Sequence, residues 1–268
     1  MWSSLSGIDL AEPNLKKLFS LSFPAVLATG FLSWLVPVPD LPAGHEGICR
    51  IAMAGSVETI LCEVPLSSFD LHLRALDDAG RPYETFEKAA ASLSGEVVLA
   101  MNAGMYHEDR RPVGLTVQDG RIVKKAVLGT GSGNFSLRPN GIFYLEDGRA
   151  FVRETERYLG ESHDPVLATQ SGPMLLIGGK VHPRFIPTSD SLYVRNGVGV
   201  SEDGRTVFLA LTRKPINFYD FALFFRDTVG VKDALFFDGQ VSSLSYRAAN
   251  IAYRRDRLGP MLLVTKKD

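Results

Sequence analysis

Polar residues stand at the ends of apolar runs in five places, and glycine accompanies each of them. The stretches are MNAGMYHED, RPNG, TQSGPM, YVRNGVG and FFDGQVSS, and they contain Asn102, Gln170, Arg195 and Asp238. A polar side chain at a strand end can face a cleft while its backbone stays rigid. Glycine lets a ligand approach the backbone closely. Together the five stretches predict a cleft for a hydroxyl-rich or anionic ligand.

Other motifs that carry chemistry are missing from the sequence. It contains no HExxH, no CxxC and no GxGxxG after a strand. The stretch GTGSG at residues 129–133 lacks both the lysine of a P-loop and the spacing of a serine hydrolase. The five histidines have no ligand spacing, and only His107, beside the Asn102 strand end, is kept as a candidate. We therefore expect neither a metal nor a cofactor.

Short strands and hairpins dominate the pattern between residue 48 and the C-terminus. Five turn pairs predict hairpins: Gly55-Ser56, Asp119-Gly120, Asp147-Gly148, Gly178-Gly179 and Asp203-Gly204. Two helices are predicted, one at residues 83–93 and a phenylalanine-rich one from the N-cap Asn217 to Gly230 at its C-terminal end. This order of elements predicts an α+β fold with mixed or antiparallel sheets and few helices, and not an alternating βαβ fold.

The bulk composition is that of a globular protein. The chain has 268 residues, 45% of them hydrophobic, and its 29 basic and 30 acidic residues give a net charge of −1. One to two domains is the expectation for this length. The balanced charge gives no reason to expect nucleic acid as a partner.

The N-terminal region has a different composition. Residues 18–36 carry no charge and follow Lys16 and Lys17; as a helix they would span about 28 Å, close to one bilayer core. They predict either an uncleaved membrane anchor or a signal peptide cut after Ala28, with a buried core helix as a third alternative. The predicted organisation is residues 1–17 cytoplasmic or n-region, 18–36 anchor or h-region, 37–47 linker and 48–268 a single domain. Both main alternatives export that domain to a periplasmic or extracellular location.

The two cysteines bracket the first hairpin. If Ala54 pairs with Val57, then Cys49 and Cys62 lie directly opposite each other in a non-hydrogen-bonded pair, with Cα atoms about 4.5 Å apart. We expect a disulfide between them, which fits an oxidising compartment. Two buried thiols are the alternative.

Six stretches in fixed order resemble the phosphodiester glycosidase family, in its bacterial branch. They are MNAGMY, PVGLTVQDGR, QSGPML, RNGVGVSEDGRTVFLAL, the phenylalanine-rich helix and ALFFDGQVSSL, and the resemblance covers residues 48–264. The family's Asp-Gly-Gly-Gly-Ser strand end is replaced here by Asp238-Gly239-Gln240-Val241-Ser242-Ser243. The resemblance implies cleavage of a sugar-1-phosphodiester into free sugar and a phosphomonoester, in cell-envelope glycan metabolism.

The resemblance also implies roles for individual residues. Arg195 would grip phosphate oxygens, and Asp238 would face the anomeric carbon as nucleophile or as base for water. Asn102 and Gln170 would bind sugar hydroxyls, His107 would relay a proton, and Tyr106 would stack on the sugar ring. The remaining substrate-binding candidates are Gly104, Asn196, Gly239, Ser242 and Ser243.

The sequence is also compatible with two other functions. One is a non-catalytic envelope module that binds polysaccharide, for which the glycines missing after Asp238 are the best support. The other is a phosphodiesterase that leaves the sugar phosphorylated.

Overall fold

The structure is a computed structural model that describes residues 41, 47–128, 133–239, 241–254 and 257–267. The chain divides into two units, Met1–Val36 and Pro37–Asp268, and the fold below is that of the second. The predicted anchor or signal segment at residues 18–36, most of the 37–47 linker and residues 129–132 of GTGSG lie outside the described residues. Within the described ranges, no helix is both long and apolar enough to cross a bilayer.

Seven strands form the first and largest sheet. In spatial order they are β1 (Cys49–Ala54), β2 (Val57–Pro65), β13 (Thr206–Thr212), β12 (Asn196–Val200), β14 (Ala234–Asp238), β10 (Met174–Ile177) and β11 (Lys180–Val181). All neighbouring strands in this sheet are antiparallel.

Two five-stranded antiparallel sheets complete the β structure. The second sheet has the order β16 (Ile251–Tyr253), β15 (Leu244–Tyr246), β4 (Val97–Asn102), β17 (Met261–Lys266) and β3 (Phe69–Arg74). The third has the order β6 (Arg121–Lys124), β5 (Thr116–Gln118), β9 (Leu167–Ser171), β7 (Gly141–Glu146) and β8 (Arg149–Glu154). The expectation of a sheet-dominated α+β domain with few helices is confirmed.

Three short α-helices occur in the described residues: α1 (Phe86–Ala90), α2 (Thr155–Leu159) and α3 (Phe218–Leu223). The predicted helix at residues 83–93 is shorter than expected, because Thr85 caps it by accepting the Lys88 N–H, and Ala91 ends it. The sequence pattern missed α2, which is a single turn capped by the Glu154 side chain.

The phenylalanine-rich helix begins at the predicted residue. The Asn217 side chain accepts the Asp220 N–H at 2.8 Å, which caps the first turn of α3. The helix then continues as π-helical turns over Phe224–Val229 and ends at Gly230, whose φ of 80° is left-handed. Glycine adopts that conformation without steric cost.

The first sheet is covered on both faces. Leu235 and Phe237 of β14 belong to the main core between the sheets, whereas Ala234 and Phe236 belong to a second core under α3. A strand that is buried on both faces needs apolar residues at successive positions. This explains the uninterrupted run Ala234–Phe237 that leads up to Asp238.

The first hairpin has the predicted register, and the disulfide is confirmed. Ala54 pairs with Val57, and Cys49 pairs with Cys62, whose Cα atoms are 3.9 Å apart and whose sulfurs are bonded. The bond ties the edge strand β1 to β2.

Replacing both cysteines with alanine should destabilise the domain. A cross-link that closes a loop of this length restricts the unfolded chain, so we expect the free energy of unfolding to fall by about 2 to 3 kcal/mol. Urea unfolding of the wild type with and without reductant, beside the double variant, measures it. The exposed Met53→Ala in the same hairpin should change stability little, and free thiols in the native protein would contradict the assignment.

Candidate functional site

Three strand ends meet where the first and second sheets adjoin. They are the end of β4 at Asn102, the start of β12 at Asn196 and the end of β14 at Asp238. The Asn196 Nδ2 donates to the backbone oxygen of Asn102 at 2.8 Å and to its Oδ1 at 2.9 Å. The Asn196 Oδ1 accepts the Asp238 N–H at 2.9 Å. The buried Asn196 side chain therefore holds these three strand ends together, and we call this group the Asn196 clasp.

The Asn102 side chain has an open donor. Its Oδ1 accepts the Ser243 N–H at 2.8 Å as well as the Asn196 amide. Because two N–H groups point at this atom, it must be the oxygen, and the orientation of the amide is fixed. The Nδ2 atom is fully buried and has no hydrogen-bond partner in the part of the chain that the structure describes. Such a group costs free energy unless a ligand supplies an acceptor.

The Asp238 carboxyl group ends β14 in a setting that disfavours its charge. It keeps partial access to solvent, yet protein atoms surround it closely enough to desolvate it. Burial raises the pKa of Asp238 to about 7, against the opposing effect of hydrogen bonds from the Gly239 and Val241 backbone. A carboxylate with a pKa near neutrality is suited to proton transfer at physiological pH.

Arg195 is enclosed by aromatic rings and backbone carbonyl groups. Its guanidinium carbon lies 3.6 Å from the ring centroid of Phe218, the first residue of α3, and 5.4 Å from that of Phe236. Nε donates to the Ile216 carbonyl oxygen at 2.8 Å, and one terminal nitrogen, Nη2, donates to the Ser191 carbonyl oxygen at 2.9 Å. Rings and carbonyl groups fix the plane of the guanidinium group.

The charge of Arg195 has no partner among the described residues. The side chain is fully buried, forms no ion pair with a carboxylate of the described part of the chain, and leaves Nη1 without an acceptor. Burial lowers its pKa to about 10, so it stays charged at neutral pH. Buried charges in proteins are normally paired. The open Nη1 therefore marks a place where an anion would bind.

The loop after Asp238 folds back on itself. Ser242 Oγ lies within hydrogen-bonding distance of the carbonyl oxygens of Asp238 and Gly239, at 3.0 and 2.9 Å. Ser243 Oγ donates to the Val241 carbonyl oxygen at 2.8 Å. Gly239 is buried in this turn, and an added Cβ there would lie 3.5 Å from the Phe236 ring. Both serine side chains are buried and shape the turn that presents Asp238.

The Gln170 amide, predicted to bind a sugar hydroxyl, already has protein partners. Its Oε1 accepts the N–H groups of Leu115 and Val127, both at 3.0 Å. Its Nε2 donates to the Val127 oxygen at 2.8 Å and to Thr155 Oγ1 at 3.4 Å. All four hydrogen-bonding positions of the amide are occupied. Gln170 therefore fastens neighbouring segments to β9, and binding a sugar would require these bonds to break. Asn196, predicted to bind substrate, is occupied in a similar way by the clasp.

Tyr106, Gly104 and His107 also lie where other contacts define them. The Tyr106 hydroxyl donates to the Arg257 carbonyl oxygen at 2.9 Å, and its ring packs so closely on Gly259 that an added Cβ would lie 2.5 Å from it. An added Cβ on Gly104 would lie 2.7 Å from Thr169 Oγ1. His107 is exposed in a turn. The structure thus makes Tyr106 a packing residue rather than an open stacking platform.

The sequence did not reveal the rings that enclose Arg195. Phe218 lies in the phenylalanine-rich helix and Phe236 in the apolar run before Asp238. Tyr193 stands two residues before Arg195, and its ring centroid lies 5.5 Å from the guanidinium carbon. Aromatic residues that precede and follow an arginine in the chain are too common to indicate a cation–π site. The carbonyl acceptors of Ser191 and Ile216 leave no signal in the sequence.

Cavities also lie elsewhere on the domain. One of about 560 Å³ is lined by Leu115, Tyr158 and His163 among others, and one of about 470 Å³ by Arg153, Met174 and Lys232 among others. Neither is lined by Asn102, Arg195 or Asp238. Among the described residues, no group of three or more His, Cys, Asp or Glu side chains is arranged to hold a metal ion. We place the candidate site at the three strand ends because buried donors are left open there.

Comparison with known proteins points to one family. The sequence model of the family described as phosphodiester glycosidase matches residues 95–263. A protein of Escherichia coli (strain K12), the uncharacterized protein YigE, is 34% identical over 190 residues, which cover 70% of this chain and 74% of that protein.

Solved structures share the fold at low sequence identity. The catalytic domain of zebrafish N-acetylglucosamine-1-phosphodiester alpha-N-acetylglucosaminidase aligns with a TM-score of 0.60 and 15% identity, covering 84% of this chain and 85% of that one. A hypothetical protein from Synechocystis aligns with a TM-score of 0.54 and 11% identity, covering 82% and 61%. With the family match over more than half of its length, this chain belongs to the phosphodiester glycosidase family.

Proposed function

We propose that this protein hydrolyses a sugar-1-phosphodiester to free sugar and a phosphomonoester at the site formed by Asn102, Arg195 and Asp238. The observation that carries the proposal is the buried guanidinium group of Arg195, which has neither a carboxylate partner nor an acceptor for Nη1 among the described residues. A phosphodiester carries one negative charge and two unesterified oxygens, so it supplies both the counter-charge and the acceptor. Family membership supports the same reaction class.

Asp238 is the proposed carboxylate at the anomeric carbon. Water adds to that carbon, the bond from the carbon to the bridging oxygen breaks, and the bridging oxygen leaves with the phosphate. A glycosidase needs a carboxylate either as the nucleophile or as the base that removes the water proton. A pKa of about 7 leaves Asp238 partly ionised at neutral pH and able to accept a proton.

The leaving group needs charge stabilisation more than it needs a proton. A phosphomonoester is a weak base, so negative charge that develops on its bridging oxygen can be stabilised electrostatically by Arg195. Asn102 Nδ2 is the proposed donor to an oxygen of the ligand on the other side of Asp238. His107, which is exposed, remains a proposed proton relay.

The disulfide supports an extracytoplasmic location. Cys49–Cys62 would persist in an oxidising compartment such as the periplasm or the extracellular space. We propose that the substrate is a glycan phosphodiester of the cell envelope and that residues 18–36 direct the chain there, as an anchor or as a signal.

Asp238→Asn should remove turnover and stabilise the fold at neutral pH. Methyl esters of GlcNAc-1-phosphate and glucose-1-phosphate, followed by phosphorus and proton NMR, should yield free sugar and methyl phosphate with the wild type. The variant should be slower by about a thousandfold or more. Wild-type kcat/KM should rise with pH through about 7 as Asp238 ionises. Activity that survives in the variant would contradict the assignment.

The effect of pH on stability gives a control for folding. The Asp238 carboxyl group has a higher pKa in the folded protein than when unfolded, so the contribution of this group to wild-type stability falls as pH rises from about 4 to about 7. Asp238→Asn removes that dependence, and its advantage above pH 7 should be at most roughly 4 kcal/mol, less where solvent screens the charge. Urea unfolding at pH 4.5 and pH 8 measures it. The exposed Asp227→Asn should alter neither turnover nor this pH dependence.

Arg195→Lys should weaken substrate recognition. The single nitrogen of an ammonium group cannot take the separate positions of Nε, Nη2 and Nη1, from which Arg195 reaches Ile216, Ser191 and the proposed phosphate, so we expect kcat/KM to fall by about 10- to 100-fold. The matched control is Arg226→Lys at an exposed arginine paired with Asp227. Equal kinetics for the two variants would remove Arg195 from the mechanism.

Asn196→Ala should act through Asp238. Loss of the clasp leaves the Asp238 N–H without its acceptor, which should cost about 1 to 3 kcal/mol of stability. We expect a larger change in kcat than in KM. The midpoint near pH 7 in the pH profile of kcat/KM should also shift. Gln118→Ala removes an amide that clasps the Ala75 and Leu76 backbone elsewhere; it should cost stability without moving the pH profile.

The same NMR assay separates the alternatives. Bound ligand without turnover would favour the polysaccharide-binding module. Release of a phosphorylated sugar with free methanol would favour the phosphodiesterase.

A further inference from the structure

The irregular segment between β11 and β12, residues 182–195, borders the candidate site. Arg195 stands at its C-terminal end, and the Ser191 carbonyl oxygen accepts a hydrogen bond from the Arg195 guanidinium group at 2.9 Å. Tyr193 lies beside the loop that follows Asp238, because an added Cβ on Gly239 would be 3.6 Å from the Tyr193 Cβ. The segment therefore contacts both the Arg195 guanidinium group and Gly239, the residue that follows Asp238.

Contacts with α3 hold this segment in place. The Phe185 ring stacks on Phe218 with centroids 5.0 Å apart, and the Asn217 side chain donates to the Pro187 carbonyl oxygen at 3.2 Å. The Tyr193 backbone exchanges hydrogen bonds with Ile216 at 2.8 and 3.3 Å. An irregular segment fixed at both ends presents its side chains in defined positions.

Large apolar side chains are left exposed on this fixed segment. Ile186 is 62% exposed, Leu192 52% and Tyr193 38%. Scattered exposed apolar residues need no explanation, but a group beside a polar site is typical of a binding surface. Leu192 and Tyr193 are the two members nearest in sequence to Arg195.

The exposed group is continuous with the anion donor. The Tyr193 ring centroid is 5.5 Å from the Arg195 guanidinium carbon, whereas the more buried Phe218 and Phe236 rings cover other sides of the guanidinium group. A phosphate group on Nη1 has two ester oxygens. One leads to the sugar, and the other leads to the second alcohol, for which Tyr193 and Leu192 offer an apolar surface.

We propose that Leu192 and Tyr193 form a leaving-group subsite that accepts an apolar aliphatic or aromatic alcohol esterified to the phosphate. The inference rests on the proposed function, because it takes the phosphate to be bound by Arg195. It makes the preferred substrate a phosphodiester that joins a sugar to an apolar alcohol.

Binding of two dialkyl phosphates tests the subsite without any turnover. Neither dimethyl phosphate nor methyl octyl phosphate contains a glycosidic bond, so the affinity of each for the full chain can be measured by NMR titration below the micelle concentration. Each buried methylene group should strengthen binding by about fourfold. We expect methyl octyl phosphate to bind at least tenfold more tightly than dimethyl phosphate.

Substitutions at Leu192 and Tyr193 test whether the octyl chain binds to these two side chains. Leu192→Ser changes an exposed side chain, so the fold should be retained, and it should remove most of the octyl advantage while leaving dimethyl phosphate binding unchanged. Tyr193→Ala should also remove the octyl advantage; because the Tyr193 ring lies 5.5 Å from the Arg195 guanidinium carbon, this variant is judged by the ratio of the two affinities and not by dimethyl phosphate binding alone. The matched control is Ile122→Ser, at an apolar residue that is 66% exposed on the third sheet, which should change neither affinity.

The outcomes separate the two proposals. If dimethyl phosphate binds and the octyl chain adds nothing, or if its advantage survives in both variants, the leaving-group subsite is wrong and the proposed function stands. If neither ester binds, the anion site at Arg195 is wrong, and both proposals fall with it.

Discussion

One side-chain amide, that of Asn196, joins the strand ends on which the candidate site depends. The pairing of β12 with β14 shifts register between Asn196 and Gly197, which interrupts the regular ladder of backbone hydrogen bonds. The Asn196 Oδ1 accepts the Asp238 N–H at that point, and its Nδ2 reaches the second sheet at Asn102. The position of the Asp238 carboxyl group thus depends on contacts between two sheets, not on its own strand alone.

The candidate site includes two ionisable groups, Arg195 and Asp238, that are both desolvated by burial. Burial lowers the pKa of Arg195 and raises that of Asp238, and in both cases desolvation is the main cause. The charged form of each group would be more stable beside an opposite charge. Neither group has an ion-pair partner among the described residues. Binding sites commonly carry such a cost, because the ligand then supplies what the protein lacks.

The rest of the domain offsets this cost through packing. The first sheet is apolar on both faces, and its edge strand is tied down by the disulfide. Phe218 belongs both to the candidate site and to the packing of the second core. Its ring covers the guanidinium group of Arg195 and also packs edge-on against Phe236, with the ring centroids 4.8 Å apart. The helix that closes the second core is therefore also the element that orients the anion donor.

The amino-acid sequence by itself determined the features that depend on neighbouring residues. Turn pairs predicted the hairpins, the turn at Gly55-Ser56 predicted that Cys49 and Cys62 lie opposite each other, and the Asn217 cap predicted where α3 begins. The apolar run before Asp238 also placed this residue at the end of a buried strand. These features follow from local backbone preferences and from the alternation of side chains along a strand.

Only the tertiary structure decided what the polar residues do. Asn196 and Asn102 are 94 residues apart, and Gln170 bonds a segment 55 residues before it, so no local pattern could show that the amides of Asn196 and Gln170 are already occupied. The same holds for Arg195, whose rings and carbonyl acceptors come from other segments. Whether a buried polar group is satisfied or left open depends on the packing of distant chain segments, and that distinction separates the supporting residues of this site from those that can bind a ligand.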